Sequence, residues 1–187
     1  LENKIEELIK NLEDNNIIKR CNSSWNTPMV CVWKKDKLEI RLCLDFRQLN
    51  KVSERQAYPM SNIEEMLDSL NGARFFSTID LGNAYYQVEL DEESKLKTAF
   101  STKSGQFCFN RMSFGIAAAP ATFQRLMNTV LGDMLWKEAL VYLDDILVFS
   151  KTMDEHILKL NKLLDKIKCA GLKINPEKCQ LLKSKTK

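Results

Sequence analysis

Val141-Tyr142-Leu143-Asp144-Asp145-Ile146-Leu147-Val148-Phe149 sets two adjacent carboxylates between β-branched and aromatic runs. The pattern reads as a strand, a tight acidic turn and a second strand. An apolar hairpin with two Asp at its tip is costly if those charges are buried unpaired, so something cationic should compensate them. Taken alone the pair also fits a purely structural turn, because Asp tolerates the left-handed region and bonds its own backbone. The remaining chain has to decide between these readings.

At 187 residues with 44% hydrophobic content, the chain can bury a substantial core, as one domain or two closely joined subdomains. Charged residues make up 28%, which suits a soluble protein. A net charge of +3 is too small to mark a nucleic-acid binder, but Lys151 to Lys187 carries ten Lys against four acids. That run is either a solvated helical face or a surface that tracks phosphates. Six Cys are scattered without a Cys-x-x-Cys pair and there is a single His, which speaks against zinc. Without a signal pattern or a membrane-length apolar run, a reduced intracellular, cytoplasmic setting with no membrane is expected. The ragged start and Lys-rich end read as cut edges of something longer.

Ile5, Leu8, Ile9 and Leu12 repeat at helical spacing until Asp14-Asn15-Asn16 stops the helix. Met29 to Trp33 and Ile40 to Phe46 read as a hairpin whose tip, Lys34 to Glu39, is basic. Asn50 to Tyr58 looks irregular. Pro59 and Ser61 then open a helix with a Ser61–Glu64 capping box and Ile63, Met66, Leu67 and Leu70 inward. Arg74 to Asp80 is a strand finishing on a carboxylate, Tyr85 to Leu90 resumes an apolar segment, and Asp91 to Lys97 is a charged connection. A second hairpin turns at Ser104-Gly105. From Pro120, Phe123, Leu126, Met127, Val130, Leu131, Met134 and Leu135 form a helical core stripe. His156 to Ile167 predicts a last helix, with Ile157, Leu160, Leu163, Leu164 and Ile167 inward, His156 at the surface and Gly171 as its stop.

This order gives an α+β fold: an antiparallel sheet backed by helices. If the strand ending in Asp80 neighbours the acidic hairpin, Asp80, Asp144 and Asp145 converge. Clustered Asp without His or Cys is a hard-oxygen site suited to Mg²⁺. Two such ions about 3.5–4 Å apart would clamp an in-line phosphoryl transfer. Side chains alternate along a strand, so Asp144 and Asp145 are not equivalent, and Asp144 is expected to be the stronger ligand.

Four stretches then make a resemblance specific: Cys43-Leu44-Asp45-Phe46-Arg47-Gln48-Leu49-Asn50, Asp80-Leu81-Gly82-Asn83-Ala84-Tyr85-Tyr86-Gln87, Ser113-Phe114-Gly115-Ile116-Ala117-Ala118-Ala119-Pro120-Ala121-Thr122-Phe123-Gln124, and Tyr142 to Asp145. In order and spacing they resemble reverse transcriptases, most of all those of gypsy-type LTR retrotransposons and their pararetroviral relatives. The resemblance implies the right-hand polymerase fold, with fingers contributions from about 1–78 and 92–115 and palm from 79–91 and 116–187. The family's sheet edge, thumb, connection and RNase H would follow.

It also implies an RNA-directed DNA polymerase using two Mg²⁺, with Mn²⁺ as a substitute, held by Asp80, Asp144, Asp145 and Leu81, and with Tyr142 near the primer end. Lys34 and Arg41 would grip the incoming deoxynucleoside triphosphate. Ala84, Tyr85, Phe114 and Gly115 would line its pocket, Tyr85 blocking a 2′-hydroxyl. Arg47 and Gln124 would support the pocket or the template, and the implied partners are an RNA or DNA template with primer and the polyprotein's RNase H and integrase. Two positions depart from the family pattern: Ser113 replaces the usual Pro, and Ala118 the usual Asn, whose hydrogen bonds would be worth roughly 1 kcal/mol. A decayed or co-opted remnant without turnover is the alternative. An unrelated two-metal phosphatase or nuclease would share the acids but not the stretches around Tyr85 and Phe114.

Overall fold

A computed structural model describes residues 2–33, 40–54, 58 and 62–183, with Arg41 described through its backbone. In chain order the elements are α1 (Glu2–Asp14), β1 (Ile18–Arg20), β2 (Met29–Trp33), β3 (Ile40–Leu44), α2 (Arg47–Val52), α3 (Ile63–Ser69) and β4 (Phe75–Asp80). A short 3-10 helix (Ala84–Gln87) leads to α4 (Glu92–Lys97), β5 (Phe100–Thr102), β6 (Gly105–Phe109) and α5 (Ala119–Leu131). After a 3-10 turn (Gly132–Met134) come β7 (Ala139–Tyr142), β8 (Asp145–Ser150), α6 (Met153–Cys169) and β9 (Gln180–Lys183).

The chain separates into two compact units, residues 1–55 with 85–119, and residues 56–84 with 120–187. Segment 56–78, assigned by sequence with the fingers, therefore clusters with the acidic hairpin.

In the first unit, β1, β6 and β5 form an antiparallel sheet and β2 pairs with β3. Its core is Ile9, Leu12, Ile18, Phe46, Leu49, Phe100, Phe107 and Phe109. The helical stripe read from Ile9 and Leu12 is thus the buried face of α1, and Asn16 ends the helix region in the left-handed conformation (φ 55°). Sequence reading missed three short elements here. β1 is only three residues, α2 falls partly in a stretch taken as irregular, and α4 is capped by Asp91, whose side chain accepts from the Ser94 N–H at 2.9 Å.

The second unit is built on a four-stranded antiparallel sheet in the order β7-β8-β4-β9. β9 is the edge strand that the sequence reading placed beyond the chain. Alternation divides the sheet cleanly: Ser77 and Ile79 of β4 stand opposite Val148 and Ile146 of β8, and all four are buried. The other face carries the registered pairs Phe76–Phe149, Thr78–Leu147 and Asp80–Asp145. In α5, Phe123, Met127 and Leu131 are buried as expected, but the α-helix stops at Leu131, where Gly132 takes φ 53°.

Three expectations fail in this unit. α3 buries no residue: Ile63 is 57% and Leu67 61% exposed, Met66 and Leu70 only partly covered. Its N-cap is Asn62, which accepts from the Glu64 N–H at 3.0 Å, while Ser61 lies outside the described residues. On α6, Ile157 and Leu164 are exposed, and the inward line is His156, Leu163 and Ile167.

His156, expected at the surface, is 0% exposed because two serines satisfy it. Its Nε2 lies 2.7 Å from Ser77 Oγ and its Nδ1 2.9 Å from Ser150 Oγ. Ser150 donates to Thr152 O, and Ser77 accepts from the Leu182 N–H, so the network assigns the neutral Nδ1–H tautomer. Burial foremost, then the Lys159 charge, holds the His156 pKa below its ordinary value, against the opposing charge of Glu155. A depressed folded value makes the unfolded chain bind the proton first, so this stability is present above the unfolded pKa and lost as pH falls through it. Urea unfolding should therefore show the wild type losing stability between about pH 7 and about pH 5, around the ordinary histidine value of about 6.5. His156→Gln, itself costing about 1–3 kcal/mol, should lose less over that interval; equal losses in both proteins would refute this role.

Candidate active site

β4 and β8 are joined in register from Phe75–Ser150 to Asp80–Asp145, and directly opposed residues of an antiparallel pair share a face. Asp80 and Asp145 therefore stand together at one end of the sheet. Asp144 lies in the turn before β8, where Leu143 takes φ 57°, and the Leu81 N–H donates to Asp144 O at 3.3 Å. The turn is thereby tied to the chain that leaves β4. Leu81 and Ala84, the next two expected positions, are both buried. Tyr142 is exposed and pairs with Asp145 across the β7–β8 turn.

Asp145 carries the electrostatic imprint of its neighbours. Partial desolvation, followed by the charges of Asp144 and Asp80, raises the Asp145 pKa, and Lys178 works against that rise. Asp80 Oδ2 is 3.5 Å from Lys178 Nζ. Its Oδ1 is buried and has no hydrogen-bond partner among the described residues. A buried carboxylate oxygen without a partner is costly unless something else occupies it, and a hard cation fits that donor. Among the described residues no group of three His, Cys, Asp or Glu can by itself hold a metal.

Lys178 is the neighbour of this acidic cluster that sequence reasoning missed. It was counted within the Lys-rich run, and only its folding back onto Asp80 distinguishes it there. Gln124, expected near the pocket or template, is buried, and its Nε2 donates to Asn128 Oδ1 at 3.0 Å. Asn128 in turn donates to the Tyr58 hydroxyl at 2.7 Å, and Arg125 lies over the Tyr58 ring. Gln124 is thus part of a packed polar row on α5.

The first unit carries the other expected positions. Phe114 is exposed and meets the edges of two tyrosines, Tyr85 at 4.9 Å and Tyr86 at 5.6 Å between ring centroids. Gly115 has φ +89°, and a Cβ there would stand 3.4 Å from the Phe46 ring, so both conformation and space call for glycine. Asn50 holds this loop from both sides. Its Nδ2 donates to Gly115 O and its Oδ1 accepts from the Ala117 N–H, each at 2.8 Å. Ser113 is buried and its hydroxyl donates to Phe114 O at 3.3 Å, while burial raises the Tyr86 pKa against a side-chain interaction with Ser113.

Arg47 forks onto Asp45, Nε to Oδ1 at 2.8 Å and Nη2 to Oδ2 at 2.6 Å, holding the Asp45 pKa down to about 2. Arg41 pairs with Val32 through the β2–β3 ladder, while its side chain and all of Lys34 lie outside the described residues. Among the described residues no helix is long and apolar enough to cross a membrane.

Comparison with known proteins places the chain in a family. Residues 32–187 match the family described as reverse transcriptase (RNA-dependent DNA polymerase). The retrovirus-related Pol polyprotein from transposon 297 of Drosophila melanogaster is 41% identical over 187 residues, covering 98% of this chain and 17% of that protein. The Pol polyprotein from transposon gypsy of the same organism is 34% identical over 180 residues, covering 94% and 17%. The chain thus spans about a sixth of the length of these relatives. Among solved structures, the foamy viral protease-reverse transcriptase dRH in complex with ds DNA superposes with a TM-score of 0.88 at 27% identity, covering 98% of this chain and 32% of that one. The foamy viral protease-reverse transcriptase in complex with RNA/DNA hybrid gives 0.87 at 27% identity, covering 96% and 24%. Strand-end carboxylates, acidic hairpin and glycine loop lie within the matched segment, and the chain belongs to the reverse transcriptase family.

Proposed function

We propose that this chain forms fingers and palm of an RNA-directed DNA polymerase that adds deoxynucleotides to a primer 3′-hydroxyl, displacing pyrophosphate from the α-phosphate. The observation that carries this reading is the registered meeting of Asp80 with the Asp144-Asp145 hairpin around a buried, unpartnered carboxylate oxygen. Asp80 and Asp144 would hold two Mg²⁺, or Mn²⁺ in their place, with Asp145 assisting and the Leu81 backbone completing the set. When bound, the metals stabilise charge on the phosphoryl oxygens and lower the pKa of the attacking hydroxyl.

The chain's own groups do the rest. Lys34 and Arg41 supply cationic grip for the triphosphate, a Lys as a point charge and an Arg as a planar fork. Tyr85, packed edge-on against Phe114, offers a rigid wall that would exclude a 2′-hydroxyl. Gly115 gives the close backbone approach that a nucleotide needs, and Asn50 keeps that loop in place. Ala84 is a small buried neighbour of Tyr85 in sequence, consistent with a pocket floor. Tyr142, exposed opposite Asp145, suits the primer end, and Arg47 and Gln124 would support the template side through Asp45 and Asn128. Contacts to template and primer would fall on phosphates and sugars, since a polymerase accepts every sequence. RNase H and integrase of a polyprotein, in a cytoplasmic retroelement particle, are the proposed companions.

Primer extension on an RNA template tests the assignment. Asp80→Asn or Asp144→Asn should cut single-turnover incorporation by about 100-fold or more; undiminished incorporation would sink the metal assignment. Tyr85→Ala should raise ribonucleotide use relative to deoxynucleotide use, and an unchanged ratio would remove Tyr85 from sugar selection. Asn50→Ala, which frees both Gly115 O and the Ala117 N–H, should cost about 1 kcal/mol of loop order. It should appear as a raised KM for the nucleotide with little change in kcat, whereas a pure kcat effect would contradict a pocket role.

A further inference from the structure

Lys178 pairs loosely with Asp80, at the same 3.5 Å as Arg20 with Glu13. Lys95, for comparison, is nearly dry and binds Glu92 at 2.6 Å, and Lys162 binds Asp133 at 2.9 Å. Lys178 Nζ lies 3.5 Å from Asp80 Oδ2, and the lysine side chain is 66% exposed while that of Asp80 is only 13% exposed. A long, wet ion pair is weak and readily exchanged. The carboxylate it touches is left half satisfied, since Oδ1 has no partner among the described residues.

The backbone that delivers Lys178 is fixed far more firmly than its side chain. The Asn175 N–H donates to the Asp80 carbonyl at 2.8 Å, so the turn is stapled to the strand end that bears the acid. Lys178 N–H then bonds Asn175 O and Cys179 N–H bonds Pro176 O, each at 3.2 Å, and Glu177 N–H bonds Asn175 Oδ1 at 3.2 Å. Gly82 permits this approach, because a Cβ there would stand 3.2 Å from Asn175 Cβ. Four flexible methylenes can therefore swing the ammonium off Asp80 without disturbing the turn. An Arg at this position could fork onto both oxygens and close the site.

We infer that Lys178 is an exchangeable counter-ion of the acidic cluster, neutralising Asp80 until a divalent cation displaces it and thereby setting the metal affinity of the site. It rests on the reading of Asp80 as a metal ligand. Lys178 acts as a positioning residue, through Asp80.

Mn²⁺ binding to the chain, followed by electron paramagnetic resonance without nucleotide or template, reads this directly. Lys178→Met should bind Mn²⁺ about two- to fivefold tighter than wild type, the range expected for losing one exposed ion-pair competitor. Lys178→Arg should bind no tighter than wild type, and circular dichroism should find both variants folded, as an exposed position allows. Equal or weaker Mn²⁺ binding in folded Lys178→Met would overturn the counter-ion role alone. Asp80→Asn serves as the separate check: if it binds Mn²⁺ as wild type does, the metal reading of Asp80 falls, and the inference about Lys178 falls with it.

Discussion

Like charges brought together at the end of a sheet are the constraint on which the second unit depends. Carboxylates set close together repel one another, the more so where water is partly excluded. A fold that gathers Asp80, Asp144 and Asp145 must therefore be held by something that does not involve them. It is held by the opposite face of the same strands. Ile79, Ile146 and Val148 are buried there, and slipping β4 against β8 by one residue would turn them to solvent and the acids inward. Register is thus set by apolar burial, and the acids accept the positions that register gives them.

The strand that carries Asp80 uses its two faces for opposite purposes. Inward, Ser77 bonds His156 and receives the Leu182 N–H, so β4, α6 and β9 share one closed polar network with every hydrogen placed. Outward, Asp80 has one oxygen near an exposed lysine and the other without a partner among the described residues. Closed networks fix a structure, whereas half-satisfied groups mark where a ligand belongs. The contrast lies within four residues of one strand.

Much of this was legible in the sequence because it depends on local pattern. The acidic hairpin, the strand ending in Asp80, the core stripes of α1 and α5 and the turn at Gly105 all follow from periodicity and turn chemistry. What was misread depends on contacts distant in the chain. A lone His at a helix start looks like a surface residue unless Ser77 and Ser150 are known to meet it. Ile63 and Leu67 look like a buried face, yet α3 leaves them exposed. Lys178 was one lysine in a basic run until the Asn175 turn brought it to Asp80. Asn50 stood inside a recognised stretch, but its partners at Gly115 and Ala117 are more than sixty positions away.

The two departures from the family pattern, Ser113 and Ala118, bear on the glycine loop of the first unit, and Asn50 changes how they are weighed. A loop in which Gly115 adopts φ +89° gains no stability from its own backbone preference beyond what glycine tolerates, so it needs outside hydrogen bonds to hold one shape. Asn50 supplies one donor and one acceptor from α2, and Ser113 adds a hydroxyl that reaches Phe114 O. An asparagine at 118 would be one way to secure this loop, and an asparagine on the neighbouring helix is another. With Ala at 118, the bonds from Asn50 and Ser113 still hold this loop from the α2 side and from within.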